Sequence, residues 1–147
     1  MILGIDTDIL VTWVMKGAPL HVAIRGLIKR EVQEGGNLLG LTPQVLHEFL
    51  HISTDPRRFE SPLSMPEALR VGRSLQGAKE ILWLLPTPEV VPRTLELLQE
   101  LRLGRKRILD TALAATLECA GIRRLATLNR RDYEVFSFLE MVGPGIE

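Results

Sequence analysis

Short apolar runs alternating with helical patterns predict an α/β protein, specifically a three-layer α/β/α sandwich with a mostly parallel central sheet. Three observations carry this. The runs Ile2–Ile5, Leu38–Leu41 and Leu125–Leu128 have strand length and no charge, as strands buried on both faces require. Between them lie longer stretches with apolar residues at helical spacing. Most of these stretches open on a Thr, Ser or Asp cap, or on an early proline.

The first strand, Ile2–Ile5, ends at Asp6, and Asp6 or Thr7 caps a helix beginning near Asp8. A second helix starts after Pro19 with Ala23, Ile24, Leu27, Ile28 and Val32 in register, and Gly35-Gly36 ends it. After the strand Leu38–Leu41, Thr42-Pro43 caps a helix over Gln44 to about Ile52. Ser64-x-x-Glu67 is a capping box opening a helix towards Leu82, and Leu84–Pro86 reads as an extended third strand. Thr87-Pro88 begins a helix with Val91, Leu95, Leu98 and Leu101 on one side, closed by Gly104. Ile108–Ala120 is alanine-rich and helical, with Gly121 as its stop. Leu125–Leu128 and Phe136–Val142 supply the last strands.

With 147 residues, 46% of them hydrophobic and 24% charged, the chain reads as one domain over residues 1–147, neither fibrous nor disordered. Eighteen basic against eighteen acidic residues exclude a protein that grips nucleic acid by bulk charge. The single Cys119 can form no internal disulfide and reads as a small core residue. Asp6 and Asp8 interrupt the apolar start, which argues against a signal peptide. No stretch has the length of a membrane span, so the expected location is the cytoplasm.

Parallel sheets bind ligands outside the carboxyl ends of their strands. Asp6 and Asp8 follow the first strand, Glu48 lies on the helix after the second, Asp110 opens the alanine-rich helix, and Asn129 and Asp132 follow Leu125–Leu128. Each alone has an ordinary reading: a helix cap, a first-turn charge, a surface acid. Together they map to one edge, where converging carboxylates repel unless divalent cations or many donors neutralise them. Oxygen ligands of this kind suit Mg²⁺ or Mn²⁺ and phosphoryl-transfer chemistry.

The segments Asp6-Thr7-Asp8-Ile9-Leu10, Val45-Leu46-x-Glu48-Phe49, Leu109–Thr116 and Thr127–Tyr133 resemble, in order, the four motifs of PIN-domain ribonucleases. The nearest likeness is to the VapC-type toxins of toxin–antitoxin pairs. The resemblance implies an Mg²⁺- or Mn²⁺-dependent endoribonuclease that cleaves RNA by a metal-activated water and is held inactive by a cognate antitoxin. It implies Asp6, Glu48 and Asp110 as catalytic metal ligands, with Asp132 as the fourth or Asn129 as a neutral substitute for it, and Asp8, Thr127 and Asn129 orienting them. Asp8 stands where the family often has Asn, and Asn129 where it often has an acid. A fold that has kept RNA binding and lost turnover is therefore the alternative reading. The resemblance also implies a homodimer, and the apolar residues Leu69, Val71, Leu75, Ile81, Trp83, Leu95, Leu98 and Leu101 are surplus to what one sheet can cover.

One rival motif is present. His47-Glu48-Phe49-Leu50-His51 matches the helical H-E-x-x-H pattern of zinc metalloproteases, yet the only other histidine, His21, lies far upstream. The ordinary reading of His47 and His51 is a partly exposed helix face. Arg57-Arg58, Arg105-Lys106-Arg107 and Arg130-Arg131 are candidate phosphate contacts. Trp13 and Trp83 read as core or interface.

Overall fold

A computed structural model describes residues 1–144. Strands β1 (Ile2–Ile5), β2 (Leu38–Leu41), β3 (Ile81–Trp83), β4 (Arg124–Ala126) and β5 (Glu140–Val142) form one sheet in the order β3-β2-β1-β4-β5. Every pairing is parallel. The helices are α1 (Thr7–Val14), α2 (His21–Lys29), α3 (Pro43–Ser53), α4 (Met65–Gly77), α5 (Val90–Glu100), α6 (Ile108–Cys119) and α7 (Arg130–Tyr133). Their contacts fall into two sets: α1 packs on α2 and α3, and α3 on α4, while α6 packs on α5 and α7. Right-handed crossovers put these sets on opposite faces of the sheet, which is the expected three-layer sandwich.

The central strands are apolar because both of their faces are covered. Leu3, Ile5, Leu39, Leu41 and Leu125 have no solvent exposure. Gly4 lets α6 lie close against β1, since a Cβ there would stand 2.7 Å from the Leu117 side chain. At the opposite end of the sheet from the carboxylates, Arg124 on β4 makes two hydrogen bonds, of 2.7 and 3.0 Å, to Glu31. Glu31 sits in a π-helical turn, Arg30–Glu34, that extends α2.

Several expected elements shift. The helix opened by the Ser64 capping box stops at Gly77, well short of Leu82, and the third strand is Ile81–Trp83 instead of Leu84–Pro86. Register decides this: Ile81, Leu82 and Trp83 pair with Leu39, Gly40 and Leu41, while Leu84 continues the ladder by one bond and packs over Gly40. Pro86 has no N–H to extend it. The fourth strand begins at Arg124 and ends at Ala126, and the last is confined to Glu140–Val142, because a turn at Ser137-Phe138 interrupts the segment before it. The helix expected from Thr87-Pro88 begins at Val90. Cys119 is exposed, contrary to expectation, because the last turn of α6 passes beyond the core. Of the surplus apolar residues, Leu75 and Ile81 are core, while Leu69 and Leu95 are exposed. Among the described residues no helix is long and apolar enough to cross a membrane.

Candidate active site

Strand β1 lies between β2 and β4, so the chain leaves it in one direction and returns on its other side. This switch point opens a crevice at the carboxyl edge of the sheet. Asp6 leaves β1 into it. Its backbone N–H donates to the Ala126 carbonyl (3.0 Å), which fixes the residue between β1 and β4. Its carboxylate caps α1, with Oδ1 accepting from the Thr7 N–H (2.8 Å), while Oδ2 accepts from the Thr127 hydroxyl (2.9 Å). Thr127 in turn accepts from the Asn129 N–H (3.0 Å). The helix-cap reading of Asp6 therefore holds, and its second oxygen is held by Thr127.

Asp8, in the first turn of α1, reaches the same loop: Oδ2 accepts from the Leu128 N–H (3.2 Å) and the Asn129 side-chain amide (2.9 Å). Its Oδ1 is buried with no hydrogen-bond partner. Asp110, in the first turn of α6, accepts at Oδ1 from the Tyr133 hydroxyl (3.1 Å), and its Oδ2 lies 3.9 Å from Arg107 Nε. Glu48 on α3 accepts from the Gln44 amide (3.0 Å).

Asp6, Asp8, Glu48, Asp110, Asn129 and Tyr133 all line one cavity of about 510 Å³. Asp132 stands on α7 beside it, outside the lining; its backbone carbonyl accepts from the Arg107 guanidinium. Its charge nevertheless acts on Asp110.

Burial dominates the electrostatics. It pushes Asp6 up to about 6 against the opposing hydrogen bonds from Thr7 and Thr127. It pushes Asp8 up to about 7, with the neighbouring Asp6 charge adding. Asp110 is raised, first by burial and then by the charges of Asp132 and Glu48, with the Tyr133 hydroxyl opposing. Burial, then the charges of Asp6 and Asp110, hold Tyr133 far above the ordinary phenol range, so it stays a donor. The donors offered to a cation are all hard oxygens, and the orphaned Asp8 oxygen is an acceptor awaiting a positive partner. By type the set fits Mg²⁺ or Mn²⁺. Among the described residues no three His, Cys, Asp or Glu side chains are already drawn into a closed cage. Glu48 and Asp110 are instead turned to Gln44 and Tyr133, so closing on an ion needs side-chain rotation.

Sequence reasoning missed Tyr133, Gln44 and Phe59 as cavity residues. Tyr133 had a signal, standing at the end of the fourth motif, but nothing in the sequence reports its bond to Asp110. His47 and His51 are both exposed, and His47 lines a groove between α3 and α4 rather than the cavity that Glu48 enters. Of the basic candidates Arg58 lines the cavity, Arg107 is tied to α7, and Arg57, Arg105, Lys106, Arg130 and Arg131 are exposed and outside the lining.

A parallel sheet in this order, with carboxylates at its switch point, is the fold that the resemblance implied. Comparison narrows it. The chain is 28% identical over 144 residues to Ribonuclease VapC24 of Mycobacterium tuberculosis, covering 97% of this chain and 96% of that one. Its fold matches VapBC-1 from nontypeable Haemophilus influenzae (TM-score 0.66, 18% identity, 97% and 98% of the two chains covered). It also matches VapBC2 from Rickettsia felis bound to a DNA fragment from their promoter (TM-score 0.65, 17% identity, 97% and 98% covered). No family model matches the sequence. The fold is thus PIN-like, and the sequence likeness to Ribonuclease VapC24 runs nearly the whole length of the chain.

Proposed function

We propose that this chain is a single-domain, metal-dependent endoribonuclease acting as the toxin of a VapBC-type pair. The observation that carries the reading is the wall of Asp6, Asp8, Glu48 and Asp110 around one cavity, with burial raising three of the four and one carboxylate oxygen lacking any partner. Mutually repelling buried acids destabilise a fold unless a cation joins them. Asp6, Glu48 and Asp110 would hold Mg²⁺ or Mn²⁺, with Asp132 approaching from α7. When bound, such an ion polarises a phosphate oxygen and acidifies a water. The chain's own part is orientation: Thr127 and Thr7 fix the two oxygens of Asp6, Tyr133 fixes Asp110, and Asn129 fixes Asp8. Arg58 in the cavity, with exposed Arg130 and Arg131, offers charge to the RNA backbone despite the chain's zero net charge.

The named complexes among the similar structures support a cognate antitoxin as partner. Exposed Leu69, Val91 and Leu95 support a homodimer. We assign the compartment as the cytoplasm.

The test is cleavage of single-stranded RNA by the purified chain with Mg²⁺ or Mn²⁺, abolished by a chelator. Asp6→Asn keeps the acceptor for Thr7 and removes a buried charge, so it should fold. It should lose at least about a hundredfold in rate, the scale on which one aimed charge acts in a transition state. Cation binding without any cleavage would support the alternative of an RNA-binding fold without turnover. Full activity in Asp6→Asn would end the assignment.

A further inference from the structure

The cavity lining is not all polar. Beside the carboxylates, Val11, Ile52, Phe59, Leu109 and Leu113 also line it, as does Arg58. A pocket that held only a cation and a phosphate has no use for an aromatic ring and four aliphatic side chains. Leu109 is 56% exposed although it directly precedes Asp110, so its apolar surface is presented, not packed away.

Phe59 is held rather than free. The Asp55 carbonyl accepts from the N–H groups of Arg58 (3.1 Å) and Phe59 (3.2 Å), and the Asp55 carboxylate accepts from the Arg57 N–H (2.9 Å). The Leu63 N–H then returns to the Ser53 carbonyl (2.9 Å), closing the loop after α3. A ring whose position is set in advance loses little entropy when a flat ligand lies on it.

We infer that these apolar side chains form a nucleobase subsite. It receives one unstacked base adjoining the phosphate held at the carboxylates, with Phe59 as the stacking surface and Arg58 directed to the backbone. The inference rests on the nuclease reading and adds to it a base-contacting side chain, Phe59, outside the carboxylates. A base inside a duplex is already stacked and cannot enter, so the RNA must be single-stranded or looped at the cut. Stacking is tolerant of sequence, because every base has a π face.

The test uses the Asp6→Asn chain with Mg²⁺ and a short single-stranded RNA carrying 2-aminopurine, so that binding is read without turnover. Phe59→Ala should weaken binding about 5- to 100-fold, the range that one base–aromatic stack carries, and should abolish the change in 2-aminopurine emission. Phe59→Trp should retain both. Phe59→Leu keeps apolar bulk and guards against a simple packing defect; it should bind as Phe59→Ala does, with a thermal melt showing that each variant is folded. A blunt duplex should bind weakly and ignore the substitution. Equal affinity and emission in Phe59→Ala and the parent would overturn the subsite, leave the nuclease reading standing, and assign the apolar lining to a protein side chain. Failure of every folded variant to bind RNA, the parent included, would remove the nuclease reading and the subsite with it.

Discussion

Replacing Asp8 by Asn should stabilise the cation-free protein, and more so as pH rises. Burial, then the Asp6 charge, raises Asp8 from 3.8 to about 7 on folding. A raised carboxyl binds its proton more tightly in the folded state, so its stability contribution is complete below about pH 4 and is lost as pH climbs to about 7. At roughly 1.4 kcal/mol per pH unit the charged form costs at most about 4 kcal/mol at pH 8. The amide retains an oxygen for the Leu128 N–H and the Asn129 amide, and places an NH₂ where Oδ1 now lacks a partner. That buried donor offsets about 1–3 kcal/mol. A net gain of about 2 kcal/mol at pH 8 corresponds to about 4–8 °C in a domain of this size. Urea unfolding in chelator at pH 4 and pH 8, followed by tryptophan fluorescence, measures it. The difference between the two pH values isolates the charge, because the cost of the amide is common to both. A variant whose advantage over the parent is the same at pH 4 and pH 8 would refute the reasoning.

Replacing His47 and His51 together by Ala should leave RNA cleavage within about twofold, since both are exposed and outside the cavity; stoichiometric zinc lost with a peptidase activity in that variant would instead favour the metalloprotease motif. Glu31→Gln should cost about 1–3 kcal/mol at pH 7, less than a fully buried pair because Arg124 and Glu31 remain 19% and 13% exposed. The Arg124 hydrogen bonds hold Glu31 below its usual 4.5, so this contribution is present above that pH and is lost on acidification through the lower folded value; denaturant midpoints of parent and variant should converge in acid. Sedimentation at micromolar concentration should give twice the 16.5 kDa of one chain, and Leu95→Asp, on the exposed face of α5, should shift it towards the monomer.

What could be read in the sequence was what local chemistry decides. The Thr42 cap, the Ser64–Glu67 capping box and the apolar first strand each depend on residues a few positions apart, and each is present. The third strand slid because Ile81–Trp83 and Leu84 are equally apolar, and only the partner strand, some forty residues away, selects between them. Arg124 belongs to a strand because a glutamate 93 residues earlier takes its charge. The same division runs through the candidate site. Topology alone brings Asp6, Glu48 and Asp110 to one edge, because every strand is parallel and that edge is the carboxyl one. The side chains that hold them, Thr127 under Asp6 and Tyr133 under Asp110, act across 121 and 23 residues. Tyr133 ends the fourth motif, yet its role was hard to read for a physical reason: buried at the end of a four-residue helix, its ring looks like core, and periodicity says nothing of its hydroxyl. An acid is conspicuous in an apolar sequence because burying it is costly, whereas an aromatic alcohol is not. Sequence reading therefore finds the charges of such a site more readily than the neutral donors that orient them.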